Sequence, residues 1–121
     1  MKKIILLTIL IISVTSCVQD DQDNINTFFM FPNPYNASSG NATFQIGLNS
    51  FTTNTTVTIT VKDQAGQLVW TLSQTATATS FTITWSGENL SGNTVVPGIY
   101  RVEAKVSGES SGEKTIEILI I

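Results

Sequence analysis

From residue 28 onward the sequence repeats one pattern, a short run in which apolar and polar residues alternate with a period of two. Such alternation places every second side chain on the same face, as in a β-strand with one buried face. In the run 56–62, for example, Val57, Ile59 and Val61 alternate with threonines. The runs cover residues 28–31, 42–49, 56–62, 67–73, 80–85, 98–106 and 113–121. The pattern predicts about seven strands.

The segments between these runs carry turn chemistry. Residues 63–66 (Asp-Gln-Ala-Gly) predict a tight turn with Gly66 at positive φ, and residues 86–97 form a loop rich in Gly and Asn. No segment of helical length with a 3.6-residue period follows residue 17. Short strands with one buried face and frequent turns indicate an all-β fold, a two-sheet sandwich of antiparallel strands. Threonine, which is frequent here, keeps β-propensity on the solvent faces.

Charges on the last two strands predict their pairing register. Placing Arg101 opposite Glu117 also places Lys105 opposite Glu113. A shift by two residues would set Glu103 against Glu117, which is a like-charge pair and unfavourable. We therefore expect the first register.

Composition excludes several kinds of catalysis. The chain of 121 residues has no His and one Cys. It cannot by itself build a Ser-His-Asp triad, a Cys-His pair, an internal disulfide or a zinc site with several Cys or His ligands. No carboxylate pair is spaced for acid–base chemistry. We expect a protein that is not an enzyme, with no cofactor and no metal.

The first 17 residues resemble the signal segment of a bacterial lipoprotein. Lys2 and Lys3 precede a run of 11 mostly apolar residues, which is too short to span a bilayer as a helix. Residues 14–17 (Val-Thr-Ser-Cys) resemble a lipobox, although its commonest form has Leu first and Ala or Gly before the Cys. The resemblance implies cleavage between Ser16 and Cys17, and acyl chains on Cys17 that anchor the protein in a membrane. Cleavage by an ordinary signal peptidase, with Cys17 incidental, is the alternative.

An acidic segment follows Cys17. Residues 18–27 are polar and without pattern, and we interpret them as a solvated tether. Asp20, Asp21 and Asp23 also resemble the surface-export signal of Bacteroidota lipoproteins, which implies an outer-membrane protein exposed at the cell surface. The expected organisation is a signal peptide at 1–16, the lipidated Cys and tether at 17–27, and the sandwich at 28–121. Removing the signal leaves a net charge of −5, so nucleic acid is not an expected partner.

A set of residues in the sandwich resembles one family. The set is Phe31-Pro32-Asn33-Pro34-Tyr35-Asn36, Asp63-x-x-Gly66-x-x-Val69-x-x-Leu72, Trp85-x-Gly87 and Gly92-x-x-Val95-x-Pro97-Gly98-x-Tyr100. Together with the alternating run at 57–61 they resemble the FlgD-type immunoglobulin-like domain, and are similar to the C-terminal sorting domains of type IX secretion cargo. The resemblance implies a seven-stranded immunoglobulin-like β-sandwich. It weakens in the loop after Trp85, where Ser86, Glu88 and Asn89 stand in place of further acids.

Three functions remain open. The first is a structural or interaction module, in adhesion or envelope assembly, anchored by its N-terminal lipid and acting on an unknown protein or glycan partner. The second is a glycan- or peptide-binding module that uses an exposed aromatic residue. The third is an accessory part of a secretion apparatus. A sorting role itself is not expected, because no passenger precedes the domain and a lipid anchor makes a sorting tag superfluous.

Trp70 is the candidate for a functional contact. Strict alternation buries Leu68, Trp70 and Leu72, whereas the family-like spacing buries Val69 and Leu72 and needs a bulge. The second arrangement exposes Trp70 as a flat platform for a sugar ring or a partner's apolar residue. The alternative is that Trp70 folds over the sheet edge and serves packing.

Overall fold

The computed structural model describes residues 23–108 and 110–121. They form seven strands in two sheets, as the sequence predicts. The strands are β1 (Ile25–Phe31), β2 (Ala42–Leu48), β3 (Thr56–Lys62), β4 (Leu68–Thr75), β5 (Ser80–Trp85), β6 (Gly98–Ser107) and β7 (Gly112–Ile120). One sheet has the order β1-β2-β5 and the other β4-β3-β6-β7, with all paired strands antiparallel. In the described part of the chain no helix is long and apolar enough to cross a membrane.

The alternating apolar residues form the core between the sheets. Val57, Ile59 and Val61 of β3 are fully buried, and so is the matching row Val102, Ala104 and Val106 of β6. The three-stranded sheet contributes Phe28 and Met30 from β1, Phe44, Ile46 and Leu48 from β2, and Ile83 and Trp85 from β5. Ile116 of β7 and Phe81 of β5 pack against this core and are only partly buried.

The predicted register of β6 and β7 is confirmed. Arg101 pairs with Glu117, Lys105 with Glu113 and Val102 with Ile116, so Glu103 faces Thr115 instead of a carboxylate. Arg101 and Glu117 approach to 3.9 Å, but both side chains are about two-thirds exposed. Such a pair contributes little free energy, so the charges select the register and the buried apolar row stabilises it.

The segment after β1 connects the two sheets. Pro32 cannot donate a ladder hydrogen bond and ends β1. Tyr35 then pairs with the other sheet, since its N–H donates to Leu119 O and its carbonyl accepts from Ile121 N, both at 2.9 Å. This bridge closes the β1/β7 side of the sandwich, and it gives the Pro-rich segment a structural role.

The domain begins earlier in the chain than the sequence pattern predicts. The sequence pattern puts residues 25–27 in the tether, but β1 begins at Ile25, and both Asn24 and Ile25 are buried. The reason is that the side chain of Asn24 adds hydrogen bonds to those of its backbone and fixes the residue to the loop after β2. Asn24 Oδ1 accepts hydrogen bonds from Asn49 N and Ser50 N, and Asn24 Nδ2 donates to Ser50 O. A buried Asn satisfied in this way does not show in an apolar pattern.

The two ends of the sandwich differ. We call the end at which β1 and β7 begin the N-terminal end; it carries the loops 49–55, 76–79 and 107–111. The opposite end, called the C-terminal end, carries the loops 32–41, 63–67 and 86–97 and the last residue, Ile121.

Gly112 tests the close packing at the N-terminal end. A Cβ at this position would lie 2.8 Å from Asn24 N and 2.9 Å from Ile25 N, and closer still to Asp23 Oδ1. We predict that Gly112→Ala lowers the free energy of unfolding by about 1–3 kcal/mol, because the backbone must shift. Chemical denaturation measures this. The control Ser111→Ala, in the exposed neighbour, should stay within ~0.5 kcal/mol of the wild type. Equal stability of both variants would contradict this packing.

Candidate interaction surfaces

Trp85, at the end of β5, is the centre of an aromatic cluster that joins the sheets. Its side chain is 1% exposed. Its ring lies 6.3 Å from Phe44 in its own sheet, 5.6 Å from Trp70 in the other sheet and 6.0 Å from Tyr35 in the connecting segment. Its indole N–H donates to Glu88 O at 2.9 Å. Trp85 therefore serves packing.

Trp70 does not form an exposed platform, and this prediction is wrong. Its ring is half-buried, stacks on Trp85 at an interplanar angle of 29° and packs against the core. The physical reason is the regular pairing of β4 with β3: Trp70 pairs with Val61 and Leu72 with Ile59, and both partners face the core. Trp70 therefore lies on the core side, as strict alternation predicts. A bulge does occur, but it lies between Trp70 and Leu68, since Lys62 pairs with Leu68, and it does not turn Trp70 outward.

The loop 86–97 is fixed to this cluster rather than free to open. Leu90 N donates to Val69 O at the bulge, and Val95 N donates to Gly87 O. Asn89 Oδ1 accepts hydrogen bonds from Ser91 N and Asn93 N, as asparagine side chains commonly do in turns. Gly87 has φ +78, and a Cβ there would meet the Tyr35 hydroxyl at 2.7 Å. The loop is therefore a rigid part of the C-terminal end.

Asp23 has a structural role at the N-terminal end. Its Oδ1 accepts hydrogen bonds from Ile25 N at 3.4 Å and Glu113 N at 3.3 Å, and its Oδ2 lies 3.9 Å from Lys114 Nζ. A residue assigned to an export signal thus holds the start of β1 against β7. Ser16, Cys17, Asp20 and Asp21, the other predicted site residues, lie outside the described residues.

Two neighbouring exposed aromatic residues, Phe29 and Phe31, lie on one strand, and the sequence patterns did not single them out. They are 47% and 46% exposed on the outer face of β1, with ring centroids 5.9 Å apart. The run Phe28-Phe29-Met30-Phe31 carried the signal: a strand with one buried face must turn two of these four side chains outward. Only the sheet order shows that β1 is an edge strand whose outer face stays uncovered.

Exposed apolar side chains gather at the C-terminal end. Among the described residues, ten large apolar side chains are exposed, and seven of them lie at this end: Phe31, Leu68, Leu90, Val96, Ile99, Leu119 and Ile121. Ile99 and Leu119 are direct cross-strand partners on the outer face of β6 and β7. Clustered exposed apolar side chains indicate an interaction site more often than scattered ones do.

The sequence of the sandwich matches a known domain family. A family model, the FlgD Ig-like domain, matches residues 33–110. The chain belongs to the FlgD Ig-like domain family. No curated protein sequence matches it.

Three solved structures show the same fold. The dimeric latent PorU of Porphyromonas gingivalis matches with a TM-score of 0.67 and 22% identity over 78% of this chain, which spans only 9% of PorU. FlgD from P. aeruginosa matches with a TM-score of 0.54 and 25% identity over 72% of this chain and 62% of that protein. FlgD from Xanthomonas campestris, described for the hook capping essential for flagellar assembly, matches with a TM-score of 0.51 and 20% identity over 81% of this chain and 68% of that protein.

The family match indicates the class of module. The matching model is that of an immunoglobulin-like domain, which is a structural or interaction module.

The charged side chains of this FlgD Ig-like domain concentrate on the outer face of β6 and β7. The neighbouring Glu103 carboxyl raises the pKa of Glu113 by hydrogen bonding and charge repulsion, while Lys105 opposes the shift. A raised carboxyl pKa means that the folded state binds the proton more tightly than the unfolded chain. Protonated Glu113 therefore favours the folded state at pH values below the ordinary carboxyl pKa. This contribution is lost as the pH rises through the raised pKa of Glu113.

Substitution of Trp70 tests its packing role. We predict that Trp70→Ala lowers the free energy of unfolding by about 2–4 kcal/mol, somewhat less than the ~3–5 kcal/mol of a fully buried Trp, because the ring is partly exposed. Thermal and chemical denaturation measure the loss. Leu68→Ala is the matched control, since Leu68 is 49% exposed on the same strand, and it should change stability by less than ~0.5 kcal/mol. A loss below ~1 kcal/mol in Trp70→Ala would instead support an exposed Trp70.

Proposed function

We propose that the chain is a lipoprotein of a bacterial outer membrane, anchored through acyl chains on Cys17, that displays its FlgD Ig-like domain on the cell surface as a structural and interaction module. The observation that carries the interaction role is the cluster of exposed apolar side chains at the C-terminal end. The lipobox-like run ending at the lone Cys supports the anchor.

The tether is short, and its length limits how far the domain can lie from the lipid anchor. Asp23 and Asn24 are bonded to the sandwich, so only residues 18–22 separate Cys17 from the fold. Five residues reach at most about 18 Å when fully extended. In the proposed arrangement the N-terminal end therefore stays close to the membrane, and the C-terminal end projects away from it.

The apolar side chains are then presented where a partner can reach them. Leu90, Val96 and Ile99 lie in or beside the loop 86–97, which the Trp85 cluster holds rigid. A rigid surface loses little conformational entropy on binding, and this favours recognition of a partner. A membrane-facing role for these residues is disfavoured by their distance from the anchored end.

Surface export is part of the proposal and rests on Asp20 and Asp21. Asp23 belongs to the fold, because its carboxylate bonds to the backbone of β1 and β7. The signal proposed for export is therefore shorter than the three aspartates of the sequence pattern.

An accessory role in secretion is the second candidate. It is favoured by one observation, the structural likeness to a segment of PorU at a TM-score of 0.67. At 22% identity that likeness shows the fold alone, so the secretion role remains an alternative to the general interaction role.

Replacement of Cys17 tests the anchor. We predict that Cys17→Ser moves the protein from the membrane fraction to the soluble fraction and abolishes incorporation of labelled palmitate, because the thiol that carries the lipid is gone. Ser16→Ala is the matched control, since it keeps a small residue before the Cys and should stay membrane-bound. Fractionation with immunoblotting reads out both variants. A Cys17→Ser protein that remains in the membrane fraction, processed as the wild type is, would show that the chain is not a lipoprotein.

A further inference from the structure

The outer face of the three-stranded sheet carries two parallel rows that each begin with an aromatic ring. In one row Phe31 pairs with Thr43, which pairs with Thr84. In the other row Phe29 pairs with Gln45, which pairs with Thr82. Side chains two residues apart on a strand are about 7 Å apart, and three strands span about 10 Å. The six side chains form a strip of about that size, which we call the β1 strip.

The β1 strip has no charged side chain. Its residues are two phenylalanines, three threonines and one glutamine, and the other outward residues of the sheet, Thr27, Gly47 and Ser80, are also uncharged. The outer face of the other sheet differs sharply, because it carries Arg101, Glu103, Lys105, Glu113 and Glu117. The charges of this domain are thus segregated from the β1 strip.

Gln45 is held in place within the strip. Its side-chain nitrogen donates to Ser80 Oγ at 3.1 Å and lies 3.2 Å from Phe81 O. This fixes the amide plane beside the two rings before any ligand arrives. Preorganised polar groups next to an aromatic surface reduce the entropy lost on binding.

We propose that the β1 strip is a binding site for a neutral glycan. The C–H face of a sugar ring packs on the faces of Phe29 and Phe31, which are apolar and carry negative π-density. The sugar hydroxyls exchange hydrogen bonds with Thr43, Gln45 and Thr84, which offer both donors and acceptors. With no cation on the strip and a net charge of −5 on the chain after signal removal, an acidic glycan is disfavoured.

The area of the strip distinguishes a glycan from a second copy of the chain. Each Phe is about half exposed, so together the two rings offer about 200 Å² of apolar surface. A stable protein interface buries about 800 Å² on each partner. Two rings in a field of hydroxyls are too small for such an interface, but they match one or two sugar rings. The strip shares Phe31 with the apolar C-terminal end, but its other five residues do not belong to that set, and the strip does not require the lipid anchor.

Affinity electrophoresis of the full chain, purified in mild detergent, tests the site. The probes are three soluble neutral polysaccharides (dextran, a galactomannan and a mixed-linkage β-glucan) and polygalacturonate as the acidic comparison. We expect at least one neutral probe to retard the wild type and polygalacturonate not to. Phe29→Ala combined with Phe31→Ala should weaken that binding about tenfold or more. Phe51→Ala is the matched control, because Phe51 is 39% exposed in a loop at the N-terminal end, and it should bind as the wild type does.

Chemical shifts localise the contact. With the retarding probe added, the Gln45 side-chain amide and Thr43 should shift, while Thr58 and Thr60 on the outer face of the other sheet should not. The proposal is overturned if no neutral probe binds, if polygalacturonate binds as well as the neutral probes, if the double variant binds unchanged, or if Phe51→Ala loses binding equally. Failure of glycan binding would leave the Cys17 anchor untouched, since the fractionation experiment tests that separately.

Discussion

The burial of one indole ring, that of Trp85, determines much of this structure. The ring is packed between Phe44 and Trp70, which belong to different sheets, and it touches Tyr35 in the segment that crosses between them. Its N–H needs a hydrogen-bond acceptor once it is buried, and the Glu88 carbonyl supplies it. The loop 86–97 therefore folds back against the end of the sandwich.

This cluster explains why the domain is rigid at one end and why a candidate contact residue proved to be structural. Trp70 reaches Trp85 because it pairs with Val61, a buried residue of β3, and so lies on the core side of β4. The loop that covers Trp85 also bonds to the bulge through Leu90. Within this loop Val95 joins the core, whereas the side chains of Leu90 and Val96 stay outside it and remain exposed. The C-terminal end thus combines a rigid base with an apolar surface, which is the combination that the interaction role requires.

The sequence predicts those structural features that a local residue pattern determines, and it misses those that depend on distant residues. Strands β3 and β5 were predicted to the residue, because apolar and threonine residues alternate without interruption, and the β6–β7 register followed from charges on paired strands. The start of β1 was missed because hydrogen bonds from Asn24 to a distant loop bury it. Trp70 was misjudged because its position depends on its pairing with Val61 and on stacking against Trp85, 15 residues away. The β1 strip was not foreseen, because only the order of the strands in the sheets shows that the outer face of β1 is uncovered.

In the proposed arrangement the N-terminal end of the domain is held at the membrane, and the C-terminal end is presented at the cell surface. Single cysteines test it most directly, because the natural Cys17 would be blocked by lipid. Val96→Cys and Thr53→Cys, at opposite ends, are labelled on intact cells with a bulky, membrane-impermeant maleimide. We expect rapid labelling at position 96, severalfold slower labelling at position 53, and equal rates at both positions after detergent solubilisation. Labelling at position 96 only after the cells are broken, or equal rates on intact cells, would contradict it.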